Sequence, residues 1–245
     1  MSEFRDQLII DVGMHIGQDT AFYLDKGFRV IAIEANPQLV KAAKIRFSDA
    51  IAKNHLEIIE GAIADQSGEV AFYIDHDKTL YASIRPESAG QAGGKLDKVF
   101  VPTIQFDEIL KRANGLHYLK CDIEMADRFV LEALLRSDRR PKFVSVEAHT
   151  LEYAALLVTA GYDRFKLINQ ARYKRWILPV PPLEGRSINH EFEMHSSGPF
   201  GDETIGEWVS FNRLTQEYNA ACHLTALNPN IFSAWFDIHA TCAVE

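Results

Sequence analysis

The sequence predicts an α/β fold, a doubly wound and mostly parallel sheet with an irregular C-terminal extension, on three observations. Short apolar runs alternate with longer helical patterns through the first two thirds of the chain. The runs are apolar at successive positions, as strands buried on both faces are. The first run ends in a glycine-bearing turn that leads into a helical pattern, the opening of a βαβ unit. With 245 residues, 47% hydrophobic and 24% charged, the chain can fill one continuous core. A single domain is therefore expected over 1–245, with a core at about 7–180 and a lid or extension at about 181–245.

In chain order, Leu8 to Val12 reads as the first strand, Gly17 to Lys26 as a helix, Arg29 to Ile33 as a strand and Pro37 to Phe47 as a helix. A strand at Leu56 to Ile59 precedes a hairpin-like pair, Val70 to Ile74 with Val99 to Ile104. Strands follow at Leu116 to Cys121, Phe143 to Val146 and Arg164 to Ile168, separated by helices at Asp127 to Arg136 and Leu151 to Ala160; a further helix at Phe106 to Arg112 precedes them. The stretch from Thr79 to Asp97, with Gly90, Gly93 and Gly94, reads as a mobile surface loop. Residues 181–210, broken by Pro181, Pro182 and the HSSGPFGDETIG run, read as an irregular lid or insertion.

Thirty-four acidic against 26 basic residues leave a net charge of −8. Such a chain forgoes the counterion release that drives nucleic-acid binding, and the one basic run, Arg172, Lys174 and Arg175, is short. No nucleic-acid partner is expected. No membrane partner is expected either, since no stretch approaches the roughly 18 apolar residues of a span. Glu3, Arg5 and Asp6 ahead of the first apolar run do not form a signal-peptide layout. Cys121, Cys222 and Cys242 are odd in number and lack metal-ligand spacing, so a cytoplasmic location is expected.

The most informative segment is IIDVGMHIGQDT, where a strand carrying Asp11 runs into a turn bounded by Gly13 and Gly17. Glycines let a backbone turn sharply and approach a ligand at a helix N-terminus. The next strand ends at Glu34 in VIAIEANP, where a carboxylate can accept both hydroxyls of a ribose. A dinucleotide site requires G-x-G-x-x-G, and here Met14 and His15 occupy the turn. S-adenosylmethionine carries no phosphate and calls for an acidic strand end facing its amino group, which Asp11 supplies. The plainer reading is that the glycines shape a turn and Glu34 is an ordinary strand-end carboxylate.

These segments, with LEIIEGAIADQSGEVAFYI, VPTIQFDEIL and LHYLKCDIEMAD, resemble the FkbM family of S-adenosylmethionine-dependent methyltransferases over roughly residues 8–150. The resemblance implies a Rossmann-like class I methyltransferase sheet, with cofactor contacts at Asp11, Gly13, His15, Gly17, Glu34, Ala35, Asn36, Ala62 and Asp122. It also implies O-methylation of a hydroxyl on a small metabolite, sugar or natural product. Two departures stand out. The family's Gly-Ala-Asn is here Gly13, Met14, His15, and its Glu-Gly-x-Glu is Glu124, Met125, Ala126, Asp127. Met125 brings a bulky side chain to the strand edge beside the expected acceptor pocket.

In a doubly wound sheet, ligands bind beyond the carboxyl ends of the strands. Asp122, Glu124, Glu147 and His149 should converge there, with His149 as the natural base for a hydroxyl proton and Glu124 as its orienter. His149 serves equally well as a simple strand-end cap. Asp122, Glu124 and Glu147 could hold Mg²⁺, though salt bridges with Lys120, Arg128 or Lys142 are the preferred reading. In WFDIHA, alternation puts Trp235, Asp237 and His239 on one face, with Asp237 and His239 a reserve pair if the tail folds back over the sheet, and core packing or an edge strand an equal alternative. Tyr173, Trp176, Phe200, Trp208 and Trp235 hint at an apolar-walled pocket for a small-molecule acceptor. Competing readings are a non-catalytic S-adenosylmethionine-binding protein, motivated by Met125, and an NAD(P)-dependent oxidoreductase using the Tyr162 and Lys166 pair. The latter requires both residues on a helix, whereas they open a strand.

Overall fold

The computed structural model describes residues 6–75, 79–89, 95–227 and 235–243. The chain runs β1 (Leu8–Val12), α1 (Gln18–Asp25), β2 (Arg29–Glu34), α2 (Pro37–Arg46), α3 (Ser48–Ala52), β3 (Leu56–Glu60), β4 (Ala62–Ile63), β5 (Glu69–Asp75), α4 (Pro86–Ala89) and β6 (Leu96–Ile104). It continues through α5 (Phe106–Arg112), β7 (Leu116–Cys121), α6 (Asp127–Arg136), β8 (Phe143–Glu147), α7 (Glu152–Thr159), β9 (Arg164–Asn169), α8 (Phe211–Leu227) and β10 (Phe236–Thr241). Seven strands form one sheet in the order β3-β2-β1-β7-β8-β10-β9, and β4-β6-β5 form a smaller one. In the large sheet β10 runs antiparallel to both neighbours, while the remaining pairs are parallel. The expected β5–β6 pair is antiparallel, from Glu69 opposite Pro102 to Asp75 opposite Leu96.

Local chemistry accounts for the element starts nearest the site. α2 begins with Pro37 at its first turn, and the Asn36 side chain caps it by accepting from the Gln38 N–H at 3.0 Å. Lys44 and Arg46 close that helix at its negative end. Every residue of β1 is buried, as a central strand covered on both faces requires.

Alternation then sorts side chains between the two faces. Ile10, Val12, Leu119, Val144, Val146 and Ile238 join a core with α5, α6 and α7. Ile9, Phe22, Tyr23, Tyr118 and Phe143 face the other way, under α1.

Residues 181–210 differ from the expected lid. They are irregular, but they substitute for a helix on the α1 side of the sheet. Phe200 is fully buried and stacks on Tyr118 at 4.6 Å. Buried polar pairs anchor the segment: Lys26 with Glu203 at 2.8 Å and His117 with Glu184 at 2.7 Å. Turn-rich composition hid this role because the anchors follow no period. The expected aromatic wall dissolves for the same reason, since Trp176 and Phe200 are core residues and Trp208 stacks on Phe143.

The C-terminal strand takes the core-packing alternative. β10 lies between β8 and β9, neither at an edge nor folded over the sheet. Both of its faces are buried, Ile238 and Ala240 on one side and Asp237 and His239 on the other. Of the expected loop at 79–97, Thr79–Tyr81 forms a 3-10 turn, α4 follows and Ser83 bridges to Tyr73. Gly90, Gly93 and Gly94 lie outside the described residues. Among the described residues, no helix is long and apolar enough to cross a membrane.

Candidate active site

A cleft open at its mouth, with about 810 Å³ of empty space counting the solvent there, sits at the carboxyl ends of β1, β2 and β7. Its floor is the turn after β1. Gly13 adopts φ +83°, and a Cβ there would stand 1.9 Å from the Asp122 carbonyl oxygen, so the turn can pack on the β7 exit only as glycine. Its N–H donates to Ile33 O at 3.0 Å.

Glu34 is buried at the end of β2 and accepts from the N–H of His15 at 2.7 Å and of Asn36 at 2.8 Å, one on each oxygen. Burial raises its pKa, against the pull of those N–H groups and of Lys120. A carboxylate has about four lone-pair sites, so both oxygens can still accept hydroxyls from the cleft they line. Ile33, Ala35, Ala62, Ile63, Phe72 and Ile84 make an apolar wall beyond it, suited to a flat purine. His15 also lines the cleft, with Nε2 2.9 Å from Thr79 Oγ1. Burial and then Lys120 push its pKa down to about 4, so the ring is neutral at physiological pH.

Of the residues expected to contact a cofactor, Gly13, His15, Glu34, Ala35, Ala62 and Asp122 line the cleft, whereas Asp11, Gly17 and Asn36 do not. Asp11 is fully buried behind the turn, where its carboxylate accepts from Thr20 Oγ1 at 2.6 Å. Burial pushes its pKa up to about 6 against the pull of Lys120. Gly17 packs against the Phe47 ring, and Asn36 caps α2. The residue missed as a cleft component is Lys120. It is buried, donates to Gly13 O at 2.7 Å, and stands 3.5 Å from Asp11 and 3.9 Å from Asp122. The Lys-x-Asp order in LHYLKCDIEMAD was its signal. Asp19 and His195 also line the cleft, and the irregular segment holds Asp19 through Ser196 Oγ at 2.6 Å and the Ser197 N–H at 3.0 Å.

Glu124 links the cleft to a second constellation. It lines the cleft and also groups with Glu147 and His149, one donor atom of each lying within 4.8 Å of the others. Glu124 and Met125 have φ of 52° and 70°, a left-handed backbone that ordinary side chains adopt at a cost. The strain turns Glu124 back over the rim, where its carbonyl accepts from Ser83 Oγ at 2.9 Å. Burial and then the Asp122 charge push Glu124 up to about 9 and Glu147 to about 7. Burial alone would lower His149, but Glu147 outweighs it, and the ring rises to about 9. That corrects the expectation of a neutral base: beside Glu147 this imidazole keeps its proton at neutral pH.

Asp122 is not part of the three-residue group and leans toward Lys120, so His149 replaces it in the expected carboxylate set. Asp237 sits directly opposite Glu147 across the β8–β10 pair. His239 is two residues deeper, fully buried, and pushed down to about 3 by burial and then Lys166, which removes it as a reserve base. The oxidoreductase pair fails as well. The Tyr162 hydroxyl donates to Pro141 O at 2.8 Å, and Lys166 lies in β9 bonded to Thr204.

A parallel sheet with one antiparallel strand near its edge, and a ligand cleft across the β1–β7 reversal, define a Rossmann-like class I methyltransferase fold, a class that uses S-adenosylmethionine. The sequence pattern of the Methyltransferase FkbM domain matches residues 11–174, and the chain belongs to that family. Among solved structures, an FkbM methyltransferase from Methylobacillus flagellatus KT is similar at 16% identity and a TM-score of 0.43, covering 66% of this chain and 40% of that one. Fibrillarin from Aeropyrum pernix, in complex with natively bound S-adenosyl-L-methionine, matches at 11% and 0.38, covering 69% and 63%. Precorrin-6y C5,15-methyltransferase from Geobacter metallireducens GS-15 matches at 15% and 0.37, covering 66% and 67%. The part matched spans 40% of the Methylobacillus chain. No curated protein matches the chain.

Proposed function

We propose that this protein transfers the methyl group of S-adenosylmethionine to a hydroxyl of a small acceptor, a metabolite, sugar or natural product. The observation that supports this is the double membership of Glu124, which borders the cofactor cleft on one side and the Glu147–His149 pair on the other. The cleft fits the cofactor. Glu34 retains acceptor capacity for a ribose, the apolar wall suits adenine, and the Gly13 turn, packed on the β7 exit, lines the cleft between them. When bound, the cofactor supplies an electrophilic methyl group.

The chain's own residues do the rest. Lys120 fixes the Gly13 turn, and Asp19 and Asp122 present carboxylates to the cationic end of the ligand. Glu147 accepts the hydrogen bond of the acceptor's hydroxyl and takes its proton as the O–CH3 bond forms and the S–CH3 bond breaks, while Glu124, kept protonated by burial, helps hold the oxygen in line with the methyl, where orientation supplies much of the rate. The test is incubation with methyl-labelled S-adenosylmethionine and a panel of hydroxylated acceptors. Label in an ether product supports the reading. Binding without S-adenosylhomocysteine formation from any acceptor points instead to a non-catalytic binder, and absence of binding overturns the cleft assignment.

A further inference from the structure

The group formed by Glu124, Glu147 and His149 has features that acceptor binding alone does not require. Two carboxylates and an imidazole reach one point from two adjacent strand exits, with donor atoms within 4.8 Å of one another. Ligands at roughly 2.2 Å from one ion stand at most about 4.4 Å apart, so side-chain adjustments of about half an ångström would close the set. His149 Nε2 and Glu147 Oε2 are 2.9 Å apart, yet the buried Nε2 has no hydrogen-bond partner because the pair is misaligned for one. That spacing is near the roughly 3 Å between neighbouring ligands of a six-coordinate ion.

A separate residue points to the same place. Asp127 is fully buried at the start of α6, and its Oδ2 has no hydrogen-bond partner. Its Oδ1 accepts from the Ile123 N–H at 3.2 Å, on the turn that carries Glu124, which leaves Oδ2 as the open oxygen. Asp237, also buried, faces Glu147 from β10. A buried carboxylate oxygen left without a partner is costly unless a cation answers it.

We infer that Glu124, Glu147 and His149 bind a divalent first-row cation, in place of the protons they otherwise hold, at the border of the cofactor cleft, where it orients the acceptor's hydroxyl and leaves the second Glu147 oxygen to take that hydroxyl's proton. Two carboxylate oxygens and one imidazole nitrogen suit Mn²⁺, Fe²⁺ or Zn²⁺ better than Mg²⁺. Asp127 and Asp237 then act as outer carboxylates that balance its charge. The cation acts as a Lewis acid beside the acceptor oxygen, which makes a hydroxylated acceptor with a second oxygen donor the favoured class. This inference rests on the methyl-transfer reading for its role, though not for the site itself.

The test is titration of the full-length chain with Mn²⁺, followed by electron paramagnetic resonance and calorimetry, with Zn²⁺ and Mg²⁺ as competitors. One Mn²⁺ per chain should bind, with nitrogen hyperfine coupling from the imidazole. Losing an outer-shell partner already costs about 10–100-fold in metal affinity, so Glu147→Gln and Glu124→Gln should each weaken Mn²⁺ by at least tenfold. His149→Gln should abolish the nitrogen coupling. S-adenosylhomocysteine affinity of Glu147→Gln and His149→Gln, neither of which lines the cleft, should stay within about twofold, and circular dichroism checks that Glu124→Gln is folded. Failure of the wild-type chain to bind Mn²⁺ or Zn²⁺ overturns the inference, as does binding that all three substitutions leave intact. Loss of S-adenosylhomocysteine binding by the wild-type chain would overturn the cleft reading instead.

Discussion

Lys120 Nζ donates to the carbonyl oxygen of Gly13 at 2.7 Å, tying the end of β7 to the turn after β1. The same ammonium group is 3.5 Å from Asp11, which no solvent reaches. Removing one partner of a buried charge pair costs about 3–5 kcal/mol. Lys120→Met should therefore lower unfolding free energy by about 3 kcal/mol in urea and weaken cofactor binding through a looser turn. A loss under about 1 kcal/mol would mean that the turn holds without it.

Glu34 carries two backbone N–H groups as well as the proposed ribose contacts. Glu34→Ala should weaken S-adenosylhomocysteine by about 1.5–3 kcal/mol, the range for lost charge-assisted hydrogen bonds. Glu34→Gln should recover only part of this, because its amide NH₂ faces a backbone donor. Calorimetry on both variants checks the pair, and unchanged affinity in the folded Ala variant would remove Glu34 from the site.

Met125 stands at φ 70°, in the left-handed region that favours glycine. A non-glycine residue there costs about 1–2 kcal/mol, which glycine would relieve at an entropic cost of about 0.5–1 kcal/mol. Met125→Gly should therefore leave thermal stability within about 1 kcal/mol of the parent. A loss above 2 kcal/mol would show that the Met125 side chain packs for stability.

Folded His15 titrates near 4 and His239 near 3, against 6.5 for an ordinary histidine. The unfolded chain thus binds protons that the folded chain refuses between those values and 6.5. Their contribution is fully present above about pH 6.5 and is lost as pH falls through 4. Asp11, raised from 3.8 to about 6, acts in the opposite sense within that window. The difference between parent and His15→Gln isolates one group: the variant should lose about 1–2 kcal/mol less between pH 7 and 4, a figure reduced for the ring's half-buried position. Parallel pH profiles would contradict the assignment.

The parallel half of the fold was legible because its strands, such as Leu8–Val12 and Arg29–Glu34, are largely apolar and alternate with helical stretches, one of them opened by Asn36 and Pro37; α5, β7 and α6 fall where the sequence places them. The cofactor side was legible for a related reason, since Gly13 and Glu34 lie at the ends of such runs. Asp11 misled because a strand-end carboxylate looks the same whether it faces a ligand or a buried lysine. Lys120 was marked only by its place two residues before Asp122, which does not say that its ammonium group turns onto the Gly13 carbonyl. The packing of residues 181–210 depends on pairs such as Lys26 with Glu203, separated by most of the chain, and no local pattern encodes such a pair. His149 was placed correctly at the rim, but its protonation depends on Glu147 and Asp127, which only the assembled sheet brings near it.

The insertion of β10 between β8 and β9 constrains the order of folding. β9 ends at Asn169, and the strand it pairs with begins at Phe236. During synthesis its backbone groups must wait for some seventy further residues to emerge before the ladder can form, the kind of non-local closure that slows folding. Until then the exit of β8, which carries Glu147, also lacks its neighbour. Assembly of the acceptor rim is thereby tied to the latest sheet pairing, so a nascent chain would acquire the β1–β2 half of the cofactor cleft before it has a complete place for an acceptor.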